Sequence, residues 1–142
     1  VRALPAILLA AVALGLAGDW AIAVLPSGTE LTLEIAADDR SRARGYMFRE
    51  RIGADEGMLL VFDQSGRHGI WMKNCLVPLD IIWLDEQHRI VEIASDRQPC
   101  PAEGPCPSAV PLKSARYVLE VVAGTAAREK LQPGASIHII SE

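Results

Sequence analysis

The sequence predicts a mainly β domain: a compact antiparallel sandwich or barrel of about seven short strands, with two short helices outside it. Two observations carry this expectation. Short apolar or alternating runs recur along the chain, separated by turn residues at hairpin spacing. These runs do not alternate regularly with helical segments, as a parallel βαβ sheet would require.

Glu30–Ile35 reads ELTLEI. Leu31, Leu33 and Ile35 share one face and the polar residues the other, the pattern of a half-buried strand. Asp38 or Asp39 can cap a short helix through Arg40–Arg44, with Gly45 as its stop. Met58–Asp63 is an apolar strand, Gln64–Arg67 a turn, and Gly69–Lys73 the expected return strand of a hairpin. Leu79–Leu84 is strongly apolar, and Arg89–Ala94 returns from a turn at Asp85–His88 to make a second hairpin. Tyr117–Val122 is a further strand, Gly124–Leu131 a short helix stopped by Pro133-Gly134, and Ser136–Ile140 the last strand.

The N-terminal segment differs in composition. Arg2 precedes Ala3–Gly18, which holds no charge, and Ala21-Ile22-Ala23 follows with small residues around one position. That layout predicts a secretory signal peptide, or a membrane anchor, over residues 1–23, and a single domain over 24–142. The uncharged run is shorter than the roughly 20 residues that span a bilayer. The mature domain is therefore expected outside the cytoplasm, in a periplasm or equivalent compartment. It would touch a membrane only through an uncleaved N-terminal segment.

The 142 residues suffice for one real core. Half are hydrophobic, and the formal charge of −4 comes from scattered charges of both signs. Without a basic block, nucleic acid is not the expected partner.

Of the three cysteines, Cys100 and Cys106 lie in QPCPAEGPCPS, each flanked by prolines that stiffen an irregular loop. In an oxidising compartment they are expected to form a disulfide rather than remain thiols or bind metal. Cys75 is then left over, in an apolar stretch where a free cysteine usually acts as a small core residue.

Several residues could carry chemistry. In Ile70–Cys75, a strand would put Trp71 and Lys73 on one face and Met72 and Asn74 on the other. Trp beside Lys can make the floor and rim of a ligand site. Against this, Trp71 can be core with Lys73 snorkelling past it, and on this stretch alone that packing reading is the stronger. Asp80, at the lip of an apolar strand, needs a partner if buried, and Arg44, Arg49 and Lys73 are the available cations; its plain reading is an ion pair or a turn cap. Glu120 falls opposite Leu119 and Val121, a position that commonly faces water. Met47, Met58, Met72 and His68 would suit Cu(I), but without Met-x-x-Met or His-x-His spacing they read better as core filling. No metal or other cofactor is expected. Gly-x-Ser-x-Gly and a phosphate loop are missing, and His68, His88 and His138 are scattered.

Taken in order, several blocks form a longer pattern: Gly45-Tyr46-Met47-Phe48-Arg49, Gly57-Met58-Leu59-Leu60-Val61-Phe62, Trp71-Met72-Lys73-Asn74-Cys75-Leu76-Val77-Pro78-Leu79-Asp80-Ile81, and Tyr117-Val118-Leu119-Glu120-Val121 before Ala123-Gly124. This pattern resembles the domain of unknown function 192 family from about Leu31 to Ile139. The chain departs from it at Tyr46, where leucine is usual, and at Cys75, where threonine is usual. The resemblance implies a compact β fold and carries no activity. It marks Arg44, Arg49, Trp71, Lys73, Asn74, Asp80 and Glu120 as the residues to examine.

Three functions are compatible with these readings. The first is an exported module binding a small polar or anionic molecule in an aromatic and basic groove made by Arg44, Arg49, Trp71, Lys73, Asn74 and Asp80. The second is a structural or protein-interaction domain. The third is an enzyme with Asp80 or Glu120 as general acid or base.

Overall fold

The computed structural model describes residues 19–141. It contains β1 (Trp20–Val24), β2 (Glu30–Ala36), α1 (Asp39–Arg44), β3 (Glu56–Gly66), β4 (Leu79–Leu84), β5 (Ile90–Arg97), β6 (Ala115–Val122), α2 (Thr125–Arg128) and β7 (His138–Ser141). The fold is mainly β, with seven strands and two short helices, as expected. All seven strands belong to one sheet, in the order β5-β4-β6-β3-β2-β1-β7. The sheet is open. Its two edges approach at one end, where Arg89 bridges Ser136 and the Ile90 amide donates to the Ala135 carbonyl at 2.8 Å. β2 and β3 pair in parallel while the other pairings are antiparallel, so the link between β2 and β3 must cross over a face of the sheet.

Each face has its own core. Leu31, Leu33, Ile82, Leu84, Leu119 and Ile137 belong to one cluster, with α2 packed against it through Ala126. Met58, Leu60, Leu79, Ile81, Trp83 and Val118 belong to the other. β4 shows why its sequence is apolar throughout: its odd residues enter the second cluster and Ile82 and Leu84 the first, so every residue is buried. The second cluster is completed by residues from two irregular segments. One is the β2–β3 crossover, carrying α1 and Tyr46; the other joins β3 to β4 and inserts Ile70, Met72 and Cys75.

Two sequence expectations change. Gly69–Lys73 is not the return strand of a hairpin. β3 runs on to Gly66, and the following segment makes only one bridge, Ile70 to Ala109. Trp83 Nε1 donates to the His68 carbonyl at 2.8 Å, tying that segment to β4. The boundary at residue 24 also moves. Trp20–Val24 is a strand between β2 and β7, with Ala21 and Ala23 buried, so the alanines read as a cleavage signal are core residues of β1. Small residues there satisfy close packing as readily as a peptidase. The uncharged run 3–18 lies outside the described residues.

Candidate functional site

A cavity of about 270 Å³ lies between the second face of the sheet and the segments that cover it. β3 and β6 contribute Leu60, Phe62 and Glu120. α1 and the turn after it form one side, and Gly69–Lys73 with Cys75 the other. Asp38 caps α1 by accepting from the Ser41 amide at 2.7 Å. Gly45 ends the helix at φ 45°, a left-handed conformation that favours glycine. A side chain at Gly45 would also press on Glu120: its Cβ would stand 3.3 Å from Oε2.

Glu120 is the unusual group. It lies opposite Leu119 and Val121, as the alternation requires, but that face is covered and the residue is only 4% exposed. Its β-sheet neighbours across the register are Met58 and Ile81, both apolar. Oε2 has no hydrogen-bond partner among the described residues. Burial alone pushes its carboxyl up to about 7. Burial, with the Glu120 charge added, raises the Cys75 thiol to about 11 and holds the Tyr46 phenol well above its ordinary range. Cys75 is therefore a protonated core thiol at neutral pH, with none of the features of an activated nucleophile.

Arg44, Trp71 and Lys73 border the cavity and are exposed. The Lys73 ammonium sits 5.1 Å from the Trp71 ring centre, so the two do share a side, although on a loop. Trp71 is 44% exposed, which removes the reading of it as core. Arg42, also in the wall, is committed elsewhere: it donates to the Ala37 and Val61 carbonyls and pairs with Asp39.

The other predicted site residues lie apart from this cavity. Arg49 pairs with Glu34 at 2.7 Å and stands over the Tyr46 ring. Asn74 takes a left-handed φ of 57° in a turn, and its carbonyl accepts from the Phe48 amide at 2.8 Å. Asp80 is buried on the opposite face of the sheet, where it meets none of the cations proposed for it. Its Oδ1 accepts from the Asp96 amide at 2.8 Å, and Oδ2 from the Gly124 and Ala126 amides at 3.1 and 2.8 Å. It is a strut joining β4, the end of β5 and the start of α2, and those bonds take three of the roughly four acceptor sites of its carboxylate.

These positions fall inside the matched family region. The family model for the domain of unknown function 192, described as an uncharacterised ACR, matches residues 22–139. The chain belongs to this family. Two solved structures are similar to this family member. One, described as a candidate transcription regulator from Sinorhizobium meliloti 1021, is 30% identical, with a TM-score of 0.74 over 84% of this chain and 92% of that one. The other, a protein of unknown function from Novosphingobium aromaticivorans DSM 12444, is 29% identical, with a TM-score of 0.70 over 84% and 83%. No curated protein matches.

Cys100 and Cys106 form the expected disulfide, with Cα atoms 5.4 Å apart. The Cys100 amide lies 3.4 Å from the Met72 carbonyl, so the bridged loop abuts the segment bordering the cavity. Met58 and Met72 are buried core, Met47 contacts Asn74, and the His68 ring stacks on Phe62 at 3.7 Å. No cluster of three or more His, Cys, Asp or Glu residues suited to a metal occurs among the described residues. Nor is any described helix long and apolar enough to cross a membrane.

Proposed function

We propose that this domain is an exported binding module that holds a small polar molecule in the cavity between α1, the Trp71–Cys75 segment and β6. The observation that carries the reading is the Glu120 carboxylate, buried and unpartnered beside open space. A buried polar atom without a partner costs about 1–3 kcal/mol, so a ligand that satisfies it gains over solvent. Trp71 offers an aromatic face at the border, and Arg44 and Lys73 offer charge. The disulfide and the signal-like N-terminal sequence support a location outside the cytoplasm. A regulator acting directly on DNA would need a basic face, and a formal charge of −4 gives that reading no support.

Thermal unfolding against a panel of small carboxylates, amino acids and sugars tests this function. A ligand at 100 times its dissociation constant should add about 2.7 kcal/mol, several degrees for a domain of this size. The shift should disappear in Trp71→Ala or Lys73→Ala. A panel without any shift overturns the binding reading in favour of a structural or protein-interaction domain.

A further inference from the structure

We infer that the cavity takes a small zwitterion of the amino-acid class, its ammonium group against Glu120 and its carboxylate at the border by Lys73, Arg44 and Trp71. This rests on the cavity being a binding site, and names the class of ligand.

The argument begins with what Glu120 lacks. Tyr46 and Cys75 are the titratable groups near it from the covering segments, and neither supplies positive charge. α1 contributes Asp39, Arg42 and Arg44 to the cavity wall. Asp39 is an acid paired with Arg42, whose guanidinium also serves two backbone carbonyls, and Arg44 is exposed. Lys73 lies at the border against the Trp71 ring. From the sheet, the cross-strand neighbours Met58 and Ile81 are apolar.

A neutral hydroxyl could donate to Oε2 but would leave an ionised carboxylate uncompensated between apolar walls. An ammonium donates and also neutralises it. The same cavity is also lined by two exposed cations, Lys73 and Arg44, which make no ion pair among the described residues. A buried acid and two unpaired cations lining one small cavity select a short molecule with a cationic and an anionic end. The volume, about 270 Å³, is at the small end for a ligand site.

Binding of the ammonium requires Glu120 to be ionised. With its carboxyl held near 7, the empty site must release a proton to bind below that pH. β-Alanine and γ-aminobutyrate, which differ in length, are titrated calorimetrically into the full chain at about pH 5.5, 7 and 8.5. Ethylamine, propionate and glycerol serve as cation-only, anion-only and neutral controls. The expected result is that a zwitterion binds more tightly than every control. Its affinity should fall about tenfold per unit below pH 7, with a proton released in buffers of different ionisation enthalpy. Glu120→Gln should lose the pH dependence and at least about tenfold in affinity. Lys73→Ala should weaken the zwitterion but not ethylamine. If propionate or glycerol binds as tightly as the zwitterions, or Glu120→Gln binds them unchanged, the zwitterion assignment falls while the binding site stands. If none of the five compounds binds, the zwitterion assignment falls, and the thermal-unfolding panel decides whether the binding site falls with it.

Discussion

Glu120 is held at a cost that depends on pH. Its folded carboxyl lies near 7, against an ordinary value of 4.5, so between these values the folded chain holds a proton that the unfolded chain has lost. Stability therefore falls as pH rises from about 4.5 to 7 and levels off above that, by about 3 kcal/mol in total. Glu120→Gln should flatten this slope and leave the variant more stable than the parent above pH 7, which urea unfolding across pH measures. A parent and a Glu120→Gln variant with the same slope over that range would mean that Oε2 has a partner in solution. Asp80 is the contrasting buried acid: three backbone amides donate to its carboxylate oxygens, where Glu120 Oε2 has no partner among the described residues.

At the scale of elements, irregular segments do the positioning. Asp80 holds α2 and the end of β5 against β4, so Asp80→Ala strands three amides. It should destabilise by about 3 kcal/mol while leaving affinity at the cavity unchanged, because the two acids lie on opposite faces of the sheet. Denaturant unfolding beside a binding titration separates these outcomes; lost binding in a folded Asp80→Ala protein would couple the faces. The segment from Gly69 to Cys75 illustrates what alternation leaves open. Burial alternates from Ile70 to Lys73 as in a strand, and Trp71 and Lys73 do share a side, yet the segment pairs at only one position. Its buried residues, Ile70, Met72 and Cys75, cover the sheet from above rather than extend it. Period-2 patterning reports which side is apolar, not whether the backbone finds a ladder partner.

For the whole molecule, β1 is the element that decides where the domain begins. It lies between β2 and β7, so a chain starting at residue 24 would strip β7 of its neighbour and expose the edge of β2. Such a chain should aggregate or unfold cooperatively at lower temperature, whereas one starting at Asp19 should match the full chain by circular dichroism. Equal stability of the two would show β1 to be dispensable. The sequence does not set β1 apart, because its small apolar residues continue the composition of the uncharged run before it, and a cleavage motif and a tightly packed strand ask for the same side chains.

The local sequence by itself determined most strands, the capped helix α1, the disulfide between Cys100 and Cys106, and the family, because turn residues, two-residue alternation and motif spacing act over short stretches of chain. It also put Glu120 on the face opposite Leu119 and Val121. Only the tertiary structure decided that this face is covered, that Asp80 lies on the other side of the sheet, and that Arg44, Trp71 and Lys73 border one cavity while Arg49 and Asn74 do not. Alternation assigns a residue to a face; whether that face meets water or protein depends on the parallel crossover between β2 and β3 and on the segment between β3 and β4, which pack over it from distant parts of the chain.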